Sequence, residues 1–252
     1  MLKFNYDIVK ISDDIGRRDI AFLRNDAIYE WIQKTGTWER HFTDIAKSLL
    51  TEGDICVDVG ANFGWHTLIM SYLVGNKGKV YSFEPVRILF QQLNTNVFLN
   101  GLTNVYTYHS ALGNEERYVG VPDLDFLVPD ITNYGETSIN YDIKNVLMKT
   151  LDNLDIFPSL KLFKIDVQGL ELQVLQGSKS NIVINRPYLF VEVESFRFPK
   201  YGYKVNDLMN YLKNDLQYSV YKIQSDYAVD HFCVPKEKPF PKLTTNYRID
   251  LV

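Results

Sequence analysis

Residues 58 to 64 read Asp58-Val-Gly60-Ala-Asn62-Phe-Gly64, a glycine-rich turn directly after an apolar run. Glycines there let the backbone bend sharply and approach a ligand, and a following helix offers free N–H groups to an anion. Glu84 stands twenty residues beyond Gly64, at the carboxyl end of the next apolar run. A carboxylate in that place is positioned to accept hydrogen bonds from ribose hydroxyls. Turn and carboxylate together point to a ligand that contains a nucleoside. The dinucleotide fingerprint asks for glycine at its first, third and sixth positions. Counted from Gly60 these are Gly60, Asn62 and Trp65, which disfavours a nicotinamide cofactor. No Gly-Lys-Ser/Thr follows, so the phosphate-binding loop fails too. An acidic residue before an open turn suits a ligand with an amine and a carboxylate better than a pyrophosphate.

A second group of residues could act on an acceptor. Asp166 closes the apolar run 160–166, and ligands of open α/β sheets sit at such carboxyl ends. It is the first candidate for a general base or an acceptor clamp, the competing reading being a cap on the next helix. Glu192 and Glu194 fall on one face of the run 187–194 by the period of two, and Glu194 is the better placed. Asp166 with Glu194 could hold a divalent cation, although no third ligand is evident. His231 is a further candidate base, and His109 is a candidate to line a nucleoside base. Tyr134 and Tyr141 are candidates for stacking on a sugar.

These residues need a scaffold. The run 54–59 is continuously apolar, as in a strand buried on both faces. Trp65, Leu68, Ile69, Tyr72 and Leu73 then recur at helical spacing. Strands at 79–84 and 104–110 flank a helix opened by Pro85. From about 114 to 160 the pattern loosens into an insertion, read as a short hairpin and loop. It resumes with strand 160–166, a helix from about 169 to 178, strand 187–194 and a helix carrying Val205, Leu208, Met209 and Leu212. Segments 217–224 and 228–234 read as an antiparallel pair. This predicts a doubly wound, mostly parallel sheet of seven strands over 49–252, with residues 1–48 as a helical extension packed on it.

Composition narrows the function classes. The chain has 252 residues, 46% hydrophobic and 23% charged, with a net charge of −4. A mildly acidic chain without a basic cluster lacks the electrostatic footprint of a nucleic-acid binder. Cys56 and Cys233 both lie in apolar segments and read as buried thiols rather than a disulfide or zinc site. The first residues lack the pattern of a secretory signal, and no apolar run approaches the ~18 residues of a membrane helix. A cytoplasmic setting without membrane insertion is expected.

The segments DICVDVGANFGWHT, SFEP, HSALGN, LFKIDVQGLELQVLQGS and LFVEVE, in this order, resemble the FkbM family of S-adenosylmethionine-dependent methyltransferases over roughly residues 50–195. The resemblance implies a class I, Rossmann-like fold with S-adenosylmethionine as cofactor. It implies that Asp58, Gly60, Ala61, Asn62, Phe63 and Gly64 cradle the methionine part, supported by Thr67. Glu84 and Pro85 would lie at the ribose, and Ser110, Ala111 and Leu112 at the adenine. It implies O-methyl transfer to a small-molecule or sugar hydroxyl. Gln168 departs from the family, which usually carries Glu there. A nucleic-acid methyltransferase is disfavoured by charge and by the absence of an Asp/Asn-Pro-Pro-aromatic turn at 166–169. A catalytically lapsed binding module is disfavoured by the intact Asp58, Gly60, Gly64 and Glu84.

Overall fold

The computed structural model describes residues 5–122, 124–126, 130–154, 159–225 and 229–252. Its first elements are two paired strands, β1 (Tyr6–Asp13) and β2 (Gly16–Leu23), so the expectation of a purely helical segment before residue 48 is corrected. The turn has a local cause. The Asp13 carboxylate accepts the Ile15 N–H and an Arg18 guanidinium N–H, each at 3.0 Å, while Gly16 adopts a φ of 138°. Ile20 and Phe22 of β2 then bury against Phe63, Trp65 and Ile69. Asn96 locks the arrangement, accepting the Ala21 N–H at 2.7 Å and donating to the Phe63 carbonyl at 2.8 Å. Two helices follow, α1 (Ala27–Thr35), capped by Asp26, and α2 (Arg40–Leu49).

The central alternation comes next: β3 (Ile55–Val59), α3 (Trp65–Val74), β4 (Lys79–Phe83), α4 (Arg87–Leu99) and β5 (Val105–Tyr108). The strand expected at 104–110 ends at Tyr108, because Ala111–Leu112 leaves the sheet as β6. The insertion is more ordered than a hairpin and loop. Strands β7 (Arg117–Val119) and β8 (Val146–Lys149) form a separate three-stranded sheet with β6, in the order β6-β8-β7, and a 3-10 turn spans Tyr134–Glu136. Then come β9 (Leu160–Ile165), α5 (Glu171–Gln176), α6 (Lys179–Asn185) and β10 (Tyr188–Glu192). The helix read at 169–178 is the short α5, ended at Gly177, and α6 follows as a further short helix. Finally come α7 (Val205–Asn210), β11 (Tyr218–Ile223), β12 (Asp230–Pro235) and β13 (Ile249–Leu251).

The main sheet has the order β13-β11-β12-β10-β9-β3-β4-β5. From β10 to β5 it is parallel; β12, β11 and β13 join by antiparallel pairing. This is the doubly wound α/β fold with one strand, β13, beyond the seven expected. After β3 the chain winds outward through β4 and β5, then returns to β9 on the other side. The crevice at the carboxyl ends of β3 and β9 is therefore the switch point where such sheets bind ligands.

Period-two alternation gives the sheet two unlike faces. Val57, Val59, Phe163, Ile165, Leu189 and Val191 join a core with Val174 and Leu175 of α5, Leu208 of α7 and Leu212 of the π-helical turn that follows α7. Cys56, Leu162, Phe190 and Phe232 instead pack with Phe42 and Ala46 of α2 and Met70 and Val74 of α3. Among the described residues, no helix is long and apolar enough to cross a membrane.

Candidate active site

The second face turns polar toward the carboxyl ends of its strands. Ser82, Asp58 and Lys164 are register partners across β4, β3 and β9, and Glu192 of β10 pairs with Asp230 of β12. Lys164 is 1% exposed. Its Nζ donates to Asp166 Oδ2 at 3.0 Å. Burial alone favours a neutral amine, but Asp166, Asp58 and Glu39 around it hold Lys164 firmly charged. The gain in ionic contact overrides the cost of desolvation because several carboxylates converge on one cation.

The glycine loop is built by backbone contacts. Gly60 and Ala61 both donate to the Phe83 carbonyl at 3.0 Å. Gly60 has a φ of 80°, and a Cβ there would lie 1.8 Å from the Asp166 carbonyl oxygen. Only glycine lets β3 and β9 close on each other at this point. The Glu84 carboxylate accepts the N–H groups of Asn62 and Val86, each at 2.8 Å, so it fastens the loop from the neighbouring strand. Burial nevertheless pushes Glu84 up to about 7. Asp58 lies beneath the loop: Thr67 donates to its Oδ2 at 2.6 Å, and its Oδ1 has no partner among the described residues.

A cavity of about 270 Å³ runs along these strand ends. At one end stand Ser110, Ala111 and Leu112, with Ser110 Oγ buried and without a hydrogen-bond partner among the described residues. Glu84, Pro85 and the loop residues Gly60, Ala61, Asn62 and Phe63 form its middle. Lys164, Asp166, Gln168, Glu192, Glu194 and Asp230 form the other end. Asn133–Thr137 of the insertion also lines it, which places the 3-10 turn beside Asn62. An apolar, partly polar pocket, a ribose-height carboxylate and a cradle that a Cβ would fill suit an adenosyl compound with an amino-acid tail.

Of the expected site residues, three pack behind the wall. Asp58 and Thr67 support the loop from below, and Gly64 lets Leu93 approach α3. Two expectations are corrected. His109 is exposed and outside the cavity; its ring stacks on Phe90 and its Nε2 meets the Pro85 carbonyl at 3.1 Å. His231 points to the opposite face from Asp230, by the alternation of β12, and its Nδ1 meets the Val229 carbonyl at 2.9 Å. Tyr134 is 1% exposed, stacked on Phe126, and Tyr141 is half-buried against Arg117 and Tyr201.

Asp166 does not cap a helix. No side chain caps α5; Glu171 at its start instead ties down the preceding loop, accepting the N–H groups of Gly169 and Val167 at 3.0 and 3.3 Å. The Asp166 carboxylate faces Lys164, Gln168 and Glu192 instead. Burial raises it, but the Lys164 charge and hydrogen bonds from Glu192, Lys164 and Gln168 prevail and hold it below the usual carboxylate range. Glu192 moves the other way, raised by burial and by the adjacent Asp166 charge. One carboxylate and one carboxylic acid therefore sit side by side, bridged by Gln168 Nε2 at 3.2 Å to Asp166 and 3.3 Å to Glu192. Glu194 is held by Arg197, which also reaches Glu136 at 3.7 Å. Among the described residues, no group of three or more His, Cys, Asp or Glu side chains is arranged to hold a metal ion.

Sequence reasoning missed Lys164, Glu39, His66 and Asp230, and passed over Glu192. A lysine within the apolar run LKLFKID was the available signal for Lys164. Glu39 and His66 had none, since only the packing of α2 on α3 brings them to the strand ends.

The family model described as Methyltransferase FkbM domain matches residues 58–220. Methyltransferase 1 of Beauveria bassiana is 25% identical over 142 residues, covering 48% of this chain and 57% of that protein. Hexuronic acid methyltransferase AglP of Haloferax volcanii is 28% identical over 167 residues, covering 62% of this chain and 64% of that protein. The crystal structure of Methyltransferase FkbM from Methylobacillus flagellatus KT superposes with a TM-score of 0.52 at 17% identity, over 75% of this chain and 47% of that one. The chain thus spans less than two thirds of each of these three proteins. With the family model covering well over half of its length, the chain belongs to the FkbM methyltransferase family.

Proposed function

We propose that the protein is an S-adenosylmethionine-dependent O-methyltransferase acting on a hydroxyl of a sugar, glycan or other small polyol. The observation that carries this reading is the single cavity that runs from Ser110 past Glu84 and the glycine loop to Asp166 and Glu192. Its nucleoside end would hold adenine against Ala111 and Leu112, with the ribose at Glu84 and the methionine part on the Gly60–Phe63 backbone. When bound, the cofactor supplies an electrophilic methyl group on sulfur. Lys164 and its hydrogen bonds hold the Asp166 carboxylate below the usual range, so it would orient the acceptor O–H and take its proton as the new C–O bond forms. A weak base suffices, because the attacking oxygen grows acidic as it becomes alkylated. Glu192 and Gln168 would fix the Asp166 oxygens. Glu194 and Asp230 add acceptors for neighbouring hydroxyls, and a relative named as a hexuronic acid methyltransferase favours a sugar.

Calorimetric titration with S-adenosylmethionine, S-adenosylhomocysteine and NAD is the test. Both adenosyl compounds should bind and NAD should not. Glu84→Gln should weaken S-adenosylhomocysteine by roughly 10- to 100-fold, since a charged acceptor of the ribose hydroxyls contributes about 1.5–3 kcal/mol. Equal binding of NAD, or an unaltered Glu84→Gln protein, refutes the assignment.

A pH dependence follows from the buried carboxyls. Glu84 and Glu171 both titrate at about 7, well above the ordinary 4.5, so the folded chain holds more protons than the unfolded one between these values. Stability should therefore fall as pH rises from about 5 to 7.5. The depressed Asp166 acts in the opposite sense, but only at more acidic pH. Ribose hydroxyls donating to ionised Glu84 should offset the loss, so S-adenosylhomocysteine should raise Tm more at pH 8 than at pH 6. A Tm that climbs steadily from pH 5 to 7.5 without nucleoside contradicts this account.

A further inference from the structure

Glu39 stands at the residue before α2, where a side chain ordinarily caps the helix, yet it makes no capping hydrogen bond. Its backbone is left-handed, with a φ of 43°, a conformation that costs a non-glycine residue about 1 kcal/mol or more. The strain turns the carboxylate inward. The side chain is 12% exposed and lines the cavity beside the first turn of α3. Its neighbour there is His66, itself 7% exposed and also on the cavity wall. His66 Nε2 lies 3.3 Å from Glu39 Oε2 but makes no hydrogen bond among the described residues. Burial, and then the charge of Lys164, drive the imidazole strongly toward its neutral form. A carboxyl oxygen and an imidazole nitrogen without a hydrogen-bond partner among the described residues thus converge on one point of the cavity, and with the ring proton on Nδ1 both are acceptors. Burial, with the charges of Asp230, Asp166 and Asp58, pushes the Glu39 carboxyl well up against the opposing pull of Lys164, which is already bonded to Asp166, so an added cation beside Glu39 would hold it ionised.

We propose that Glu39 and His66 form an ammonium site that takes the α-amino group of the methionine part of the cofactor. An ammonium has three N–H donors and one charge, which matches a carboxylate oxygen and an imidazole nitrogen aimed at the same space. The direction is consistent with the rest of the cavity. Adenine at Ser110–Leu112 and ribose at Glu84 send the amino-acid tail across the glycine loop, and His66 follows that loop directly. The buried, strained Glu39 is then retained for binding rather than for folding. The assignment rests on the S-adenosylmethionine reading above and adds Glu39, which lies outside the glycine-loop segment.

The experiment compares two nucleosides on the full chain. S-adenosylhomocysteine carries the amino-acid tail, and 5′-methylthioadenosine lacks it. Wild type should bind the first at least about tenfold more tightly. Glu39→Gln, nearly isosteric, should weaken S-adenosylhomocysteine by about tenfold or more, the scale of one charge-assisted hydrogen bond. It should leave 5′-methylthioadenosine within about twofold, which also shows that the variant is folded, and it should melt no lower than wild type. Equal loss for both nucleosides makes Glu39 a structural residue and overturns the ammonium site. Unchanged affinity for S-adenosylhomocysteine overturns it as well. Binding of neither nucleoside to wild type refutes the cofactor reading itself, a distinct and recognisable failure.

Discussion

Asp166→Asn is expected to lower kcat by about 10²- to 10⁴-fold, the usual contribution of a positioned general base, while S-adenosylhomocysteine affinity stays close to wild type. The expectation follows from how the two acceptor-end carboxyls divide. Glu192, raised by burial and by its neighbour, favours its protonated form and is the poorer acceptor of a proton. Asp166 is held ionised by Lys164 and accepts from Gln168 at 3.2 Å. Asparagine preserves the shape and the bond to Lys164 through its carbonyl oxygen, but it cannot take a hydroxyl proton. The loss should therefore appear in kcat with little change in KM for the acceptor. Glu192→Gln should cost much less, because an amide can still donate to Asp166. Assay on a glycan panel, with calorimetry on the same proteins, separates these effects. Turnover of Asp166→Asn at the wild-type rate moves the base elsewhere, with Asp230 next in line at the far wall.

The division between Asp166 and Glu192 was half legible in the sequence. Period-two alternation placed Glu192 and Glu194 on one face and Asp166 at a strand end, because a strand's geometry is local. The glycine loop and Glu84 were legible for the same reason: turn chemistry and a fixed strand-helix-strand spacing encode them. What escaped depended on contacts between distant elements. The β1–β2 hairpin was missed because its register rests on Asp13 bonding Ile15 and Arg18 across a tight turn, not on a clean alternation. His231 was singled out on side-chain chemistry and Asp230 was not considered, yet one step along β12 reverses the face, and the pairing of Asp230 with Glu192 decides which faces the cavity. Asp230 is in turn fixed by His41 of α2, whose Nε2 meets its Oδ2 at 2.7 Å across 189 residues of chain. No spacing rule reports such a pair.

Lys164→Met is expected to destabilise the fold by about 3–5 kcal/mol, enough to leave a marginally stable domain largely unfolded at ambient temperature. Methionine fits the volume and suits an apolar strand, so packing is not what fails. The loss is electrostatic. Lys164 is the cation to which Asp58, Asp166 and Glu39 are oriented, and all three are buried or nearly so. Without it, each carboxylate keeps its desolvation cost and gains only repulsion, so each binds protons more tightly in the folded state than in the unfolded chain. That fixes the sign of the pH dependence. The stability deficit should be greatest above pH 7 and shrink as pH falls toward 5, where protonation removes the uncompensated charges. Urea denaturation of wild type and Lys164→Met across that range checks both size and sign. Lys164→Met with Asp166→Asn should recover part of the loss, because removing one of the stranded charges relieves the other two. A deficit that does not change with pH would mean that Lys164 is a packing residue, and that Asp166 owes its ionised state to its other hydrogen-bond partners.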